Sequence, residues 1–363
     1  AGHTEGDFLR VRVSSYADLI QKPVHKMFDP VTVRAVRAFF ENGGVDAILY
    51  GLCLSSADAL LRVTEGGGSF EDLLYDIRGG EEVGLMCMPV LAYLPCEVVD
   101  GVVHSHADVV WNVLLHHCAQ VNFGMVLIDS PKDLLDEDVR AWSDRFARMS
   151  GDNACFGAIY YPWLQNGDER LPPSGSVAGM FARIEVANRP FGIWKPPANE
   201  ELRGVTHTSY DVLWSEVEKY SQAMLNPILH APNRGVLVWG ARTLSNDPRW
   251  EFINSRRIVS VVAAQVRKDA DWAVFETHQP ALWESVEQRV RGRLDQMWRC
   301  GLLTGQGAGD NYSVQCDGST NTPDVVNRGV VNIRVWLQPI STTEKIVVEL
   351  SLGAPEITVG SAR

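Results

Sequence analysis

The chain has 363 residues and carries 33 Lys and Arg against 45 Asp and Glu, a formal net charge of −12. That balance excludes a general nucleic-acid binder, which needs a basic footprint, and the length exceeds what one compact core usually holds, so two domains are expected. No apolar run approaches the roughly 20 residues that span a bilayer, and the N-terminus lacks a signal-peptide pattern. Seven cysteines form no Cys-x-x-Cys pair and sit in apolar settings, as buried free thiols do, so no disulfide framework is expected.

In chain order, the opening AGHTEGDFLRVRV reads like the middle of a domain, and a leading segment is expected to be absent. Phe8 to Val13 alternates with period two as a strand does, and Ser15 opens a short helix, SYADLIQK. VTVRAVRAFFENGG is a helix stopped by Gly43 and Gly44, followed by a buried strand, VDAILYGL. EDLLYDIRGG is a short helix and GLMCMPVLAYL an apolar strand. Ser105 caps SHADVVWNVLLHHCAQV, which leads to the strand FGMVLIDSP; the helix LLDEDVRAWSDRFARMS leads to ACFGAIYYPW. Strands separated by helices of this length predict a parallel α/β sheet with helices on both faces.

Pro172 and Pro173 then start a new helix, with Ser174 or Ser176 able to cap it. Gly175, Ala178, Gly179 and Ala182 recur at helical spacing, leaving one face with almost no bulk, so another backbone can approach closely. After a Lys195–Pro197 loop come a helix from Ser215 to Met224 and short strands from Pro227 to His230 and Val236 to Trp239. Two long helices follow, Ser255 to Ala270 and Ala281 to Arg299, then three strands, YSVQC, VVNIRVWLQP and KIVVELSL. This second half reads as an α+β module joined to the first near Gly204–Thr208.

Three patterns invite chemistry. Ser176 at a helix start resembles the nucleophile corner of subtilisins, but the Asp and His of a triad are missing at the required positions, and the simpler reading is a helix cap. His104 and His106 lie about 15 Å from His116 and His117 along one helix, too far for one tetrahedral ion. Gly305 to Asp310 has the glycines of a dinucleotide loop, yet it follows a helix and precedes a strand, the reverse of that motif. No cofactor, metal or catalytic residue is expected.

The segments Pro172 to Val205 and Gly235 to Val259 resemble contractile tail sheath proteins, the sheaths of contractile-tailed phages, R-type pyocins and phage-like extracellular contractile injection systems. LIDSP, AIYYPW, VWGARTLS, LWESVEQRVRGRLDQMWRCGLLTGQG and CDGSTNTPDVVNRGVVNIRVWLQP extend the similarity in order. The resemblance implies an outer, subtilisin-like α/β domain over 1–205, an α+β domain over 206–351 facing the tube and neighbouring subunits, and a tail over 352–363. It further implies a structural, non-enzymatic subunit stacked as hexameric rings around an inner tube. Its partners would be other sheath subunits, the tube protein, baseplate and terminal cap proteins, with no nucleic acid and no membrane insertion. Assembly would take place in a bacterial cytoplasm, and the product would be a virion or a released tail-like particle.

In the helix from Ala281, Trp283, Val286, Val290, Leu294 and Met297 form one apolar stripe. Arg289, Arg291, Arg293 and Arg299 lie off it, and in the family a helix of this module touches the tube, so these four are the expected tube contacts. Val330, Asn332, Arg334, Trp336, Ile346, Val348 and Leu350 are the expected residues of strands that pair with neighbouring subunits, whose N-terminal arm donates a strand in the family. The competing readings are a subtilisin-like or other α/β serine hydrolase and a static shell subunit.

Overall fold

The computed structural model describes residues 8–52, 69–79, 83–99, 102–305 and 311–342. Phe8–Val13 is a strand, β1; α1 (Tyr16–Gln21) and α2 (Pro30–Glu41) follow it, and Ala47–Leu52 forms β2. Ser15 Oγ accepts the Asp18 N–H to cap α1, and the Asp29 carboxylate accepts the Val31 N–H to cap α2. β1 and β2 pair antiparallel, Phe8 opposite Leu52 and Val13 opposite Ala47, in a sheet of their own. This corrects the expectation of a buried strand. Arg10 and Arg12 occupy alternate positions of β1, Arg12 bonding Asp46 across the pair, and a charged face needs the water that an antiparallel ribbon admits.

α3 (Ser69–Gly79) precedes Met86–Cys87, β3, which is all that forms of the apolar strand predicted over GLMCMPVLAYL. Pro89 has no N–H for a ladder, and the chain turns instead into the 3-10 helix Pro89–Tyr93. A hairpin follows that the sequence reading leaves out, β4 (Cys96–Val99) with β5 (Val102–Ser105), although Asp100-Gly101 stands between the two runs. Ser105 Oγ then accepts the Ala107 N–H at the head of α4 (Ala107–Val121). Next come β6 (Val126–Asp129), α5 (Asp136–Ser150), β7 (Gly157–Tyr161), the hairpin β8 (Leu164–Asn166) and β9 (Glu169–Leu171), and α6 (Ser174–Ala187). The unit closes with β10 (Glu200–Glu201), β11 (His207–Thr208), α7 (Val217–Gln222), β12 (Leu225–Ala231) and β13 (Gly235–Val238).

The central sheet has six strands in the order β10-β13-β12-β7-β6-β3, parallel from β12 to β3 and antiparallel at β13 and β10. Successive residues of β6 and β7 serve opposite faces. Val126, Ile128, Ile159 and Tyr161 pack with Trp111, Leu115, Trp142 and Phe146 of α4 and α5. Leu127, Ala158 and Tyr160 pack with Val177, Met180 and Phe181 of α6. β12 and β13 belong to this sheet, so the α/β sheet runs on past residue 205, where the sequence reading puts the join. β12 carries Asn226 and His230 among its apolar residues and β13 is apolar throughout; nearly all of both strands is buried, as suits a sheet covered on both faces.

The last part comprises α8 (Ile253–Ala270), α9 (Pro280–Arg299), β14 (Tyr312–Gln315), α10 (Pro323–Asn327) and β15 (Arg334–Leu337). Leu282, Val286, Val290, Leu294 and Met297 of α9 bury one stripe against Ile258 and Val262 of α8 and against Tyr312 and Val314 of β14. Trp283, expected on that stripe, is only half-buried at its edge. KIVVELSL lies outside the described residues.

The bare face of α6 does what its spacing predicts. A Cβ at Gly175 would fall 2.5 Å from the Ala35 carbonyl oxygen of α2, and one at Gly179 would fall 2.1 Å from that of Phe39. Gly179→Ala should therefore cost about 2–4 kcal/mol by forcing two backbones apart, against a gain of about 0.5–1 kcal/mol for the exposed mid-helix Gly292→Ala, where a Cβ meets nothing. Urea unfolding of the two variants checks this.

Candidate functional site

The start of α6 is the place to look for catalysis, and its polar groups face inward. Pro173 occupies the cap position. Ser174, the first helical residue, donates its N–H and its hydroxyl to the two carboxylate oxygens of Asp129, at 2.8 and 2.6 Å. Asp129 ends β6, so a carboxylate from the sheet satisfies the helix start that the sequence assigns to a serine. Ser176 is not the cap: it is buried, and its Oγ has no hydrogen-bond partner among the described residues. A serine nucleophile needs a base within hydrogen-bond reach, and Ser176 has none.

Burial pushes the Asp129 carboxyl up to about 7, against the two Ser174 donors, which favour the charged form. The histidines are spread out: His104 lies on β5, His106 sits at the cap of α4, His116 shares a hydrogen bond with Gln120, and His117 is buried. Among the described residues no cluster of three His, Cys, Asp or Glu could hold a metal ion. The glycine loop after Gly305 lies outside the described residues.

The four arginines of α9 divide into two pairs. Arg293 forms a two-point contact with Asp269 of α8, Nε to Oδ2 at 2.7 Å and the terminal nitrogen to Oδ1 at 3.0 Å, and holds that carboxyl below the usual range. Arg291 bonds Glu287 one turn earlier and donates to the Val314 carbonyl at 2.8 Å. These two are tied into the domain itself. Arg289 is exposed, its guanidinium 5.8 Å from the ring centre of Trp272, and Arg299 is exposed in the last turn. Of the four, Arg289 and Arg299 have no ion-pair partner among the described residues, and Arg291, though paired, is also exposed.

The closing strands show the expected alternation. Val331, Ile333, Val335 and Leu337 pack on the α8–α9 core, whereas Val330, Asn332, Arg334 and Trp336 point outward. β15 pairs antiparallel with β14, from Tyr312 opposite Leu337 to Gln315 opposite Arg334, and neither strand has a second neighbour among the described residues. Asn332 departs from the expectation that it pairs with another chain. The buried Asn321 side chain accepts its N–H at 2.7 Å and donates to its carbonyl at 3.1 Å, occupying the backbone where a strand would bind. The sequence reading does not single out Asn321; the turn before it gives the cue, since Asp317 accepts the Ser319 and Thr320 N–H groups in an Asx-turn, while the Ser319 hydroxyl and then the Gln315 amide, with the Ser319 N–H, hold its carboxyl down to about 2. Ile346, Val348 and Leu350 lie outside the described residues.

A family model for the phage tail sheath protein central domain matches residues 72–244, and one for the phage tail sheath C-terminal domain matches 245–352. The chain belongs to the contractile tail sheath family. This sheath protein is 26% identical over 233 residues to a prophage major tail sheath protein of Pseudomonas aeruginosa (strain UCBPP-PA14), across 62% of this chain and 58% of the relative. It is 25% identical over 232 residues to the tail sheath protein of Salmonella phage ViI, across 61% of this chain and 34% of the relative. The chain thus spans little more than half of the first relative and a third of the second.

Among solved structures it is similar to a chain of the anti-feeding prophage baseplate, 6-fold symmetrised, with a TM-score of 0.74, 25% identity, and 96% of this chain and 88% of that one covered. It matches a chain of the same particle's baseplate in the contracted state at a TM-score of 0.74 and 26% identity, covering 96% and 90%. The α/β plus α+β architecture is that of a sheath, and the family is structural, not enzymatic. The two family matches meet after β13, where the central sheet ends.

Two predictions follow from the site's geometry. The folded Asp129 carboxyl titrates near 7 and an unfolded one near 4, so the native chain keeps a proton that the unfolded chain releases. Stability from this group is full below about pH 4 and declines as pH rises toward 7. Asp129→Asn should flatten that decline, seen as a larger gain in melting temperature at pH 7 than at pH 5. Charge reversal separates the arginines: Arg293→Glu should lose about 1–3 kcal/mol in urea unfolding by stranding Asp269, while Arg289→Glu stays within about 1 kcal/mol of the parent.

Proposed function

We propose that the protein is the repeating subunit of a contractile sheath, stacked as six-membered rings around an inner tube. The extended lattice is metastable, and relaxation to a shorter, wider one drives the tube through a target envelope. The outer body is the α/β domain, subtilisin-like in topology, ending with β13; the α8–β15 domain lies inward against the tube. The reading is supported by the order of parallel strands between helical layers, by the two consecutive sheath-family matches, and by structural neighbours that are parts of sheath and baseplate assemblies.

The observation that carries it is the β14–β15 ribbon. Among the described residues both strands have an open outer edge, and an open edge can bind a strand from another chain. Backbone ladders of this kind persist while rigid bodies rotate about the connecting arms, so a lattice linked through them changes shape without falling apart. Arg334 and Trp336 line the outward face of the ribbon, their side chains 5.6 Å apart as a cation over a ring. Arg289 and Arg299 are the charges left for the tube, each contact worth about 1 kcal/mol or less at an exposed surface and so breakable during contraction. Assembly takes place in a bacterial cytoplasm, with baseplate and cap proteins at the two ends.

Expression of the full-length protein with its tube protein, followed by negative-stain microscopy, tests the proposal. Rigid cylinders with six-fold end views are expected. Naked tubes beside monomeric chains would refute it.

A further inference from the structure

The tip of the α8–α9 hairpin is built to present one side chain. Asp271–Ala273 makes a single 3-10 turn; the Val274 N–H donates to the Asp271 carbonyl and the Glu276 N–H to the Ala273 carbonyl, each at 3.2 Å. On this closed corner Phe275 has φ +67°, a left-handed conformation that a bulky residue keeps only when its surroundings impose it. Its ring is wholly exposed, with the exposed Val274 beside it. Folding gains nothing from a strained, water-facing phenyl ring, so its use lies outside the chain.

A matching hollow lies where α6, the turn Arg189–Ile193 and α8 meet: a cleft of about 440 Å³ walled by Val45, Ala182, Val186, Phe191, Ile193 and Val261. Gly192 makes it possible, since a Cβ there would fall 2.4 Å from the Glu185 carbonyl oxygen and push the turn off α6. The charges around knob and hollow are complementary. Glu276 follows Phe275 and Asp271 opens the same corner, Arg189 lines the cleft, and none of the three has an ion-pair partner among the described residues.

We propose that Phe275 of one copy seats in the Ala182–Val261 cleft of the next, with Glu276 against Arg189. The contact joins two different patches of the same surface, so it is heterologous: repeated, it closes a ring or continues as a helix, depending on the rotation between copies. It rests on the reading of the chain as a self-assembling sheath and assigns one of the joints that reading requires.

Cysteine pairing in polymers of the full-length protein with its tube tests the contact. The double variant Phe275→Cys with Val186→Cys should give a ladder of covalent multimers on oxidation. A mixture of the two single variants should give dimers, and either alone should match the parent. Normal polymers without the ladder, or Phe275→Cys joined to the tube protein instead, would overturn the contact and leave the sheath reading standing. If the parent chain forms no polymer with its tube, both fall. Independently, Glu276→Arg should lower polymer yield about tenfold and Arg189→Glu should restore it in the double variant; absence of rescue overturns the assignment.

Discussion

Two helices can approach only as closely as the side chains between them allow, and α6 has none where α2 crosses it. Gly175 and Gly179 place the two backbones in contact, and the rest of the molecule is arranged around that crossing. On its other side α6 covers one face of the central sheet through Val177, Met180 and Phe181. At its head Ser174 is tied to Asp129, at its middle Arg183 reaches the Asn42 carbonyl beyond the end of α2, and near its tail Glu185 pairs with Arg257 of α8. One helix therefore joins α2, the sheet and the C-terminal module.

That junction also explains how a chain with two kinds of architecture can behave as one body. Asn42, fully buried, bonds the Arg203 backbone with both ends of its amide, and Asn254 of α8 donates to the carbonyls of Trp194 and Ile340. Each is a polar side chain standing in for a strand or turn where three segments meet, and a buried amide left half-bonded there would cost about 1–3 kcal/mol. In the proposed sheath, a subunit that transmits force needs such joints more than it needs a large core. Catalysis would need the opposite, polar groups left free in a cleft, and the serines of α6 are either bonded or sealed in.

Much of this was legible in the sequence because the governing signals are local. The apolar runs of β6 and β7, the small-residue spacing of α6 and the stripe of α9 each fix an element and its buried face without reference to the rest of the chain. What was misread depended on distant partners. β12 and β13 belong to the first sheet because β7 offers an edge to Leu225–Pro227, which no window around residue 225 reveals. The β4–β5 hairpin is the exception, because Asp100-Gly101 between two valine-rich runs is a local two-residue hairpin signal that the sequence reading passes over; at Pro89 a missing N–H overrides an apolar pattern. Charge and helical position of the four α9 arginines can be read from the chain alone, but whether a guanidinium meets Asp269 or water depends on how α8 lies alongside. Asn332 looked like an open strand residue until Asn321, eleven positions earlier in the fold, was found holding its backbone.

For the strand pairing proposed above, the clamp by Asn321 sets a limit on how firmly neighbouring copies hold one another. With Asn332 occupied, the strand available to an incoming chain begins at Arg334 and ends at Leu337, four residues long. A ladder that short contributes only a few hydrogen bonds, each about 0.5–1.5 kcal/mol net, so a single junction is feeble and strength comes from repetition. An array fastened by many weak clasps tolerates the momentary loss of any one of them, and a wave of rearrangement can travel along it without tearing the fabric.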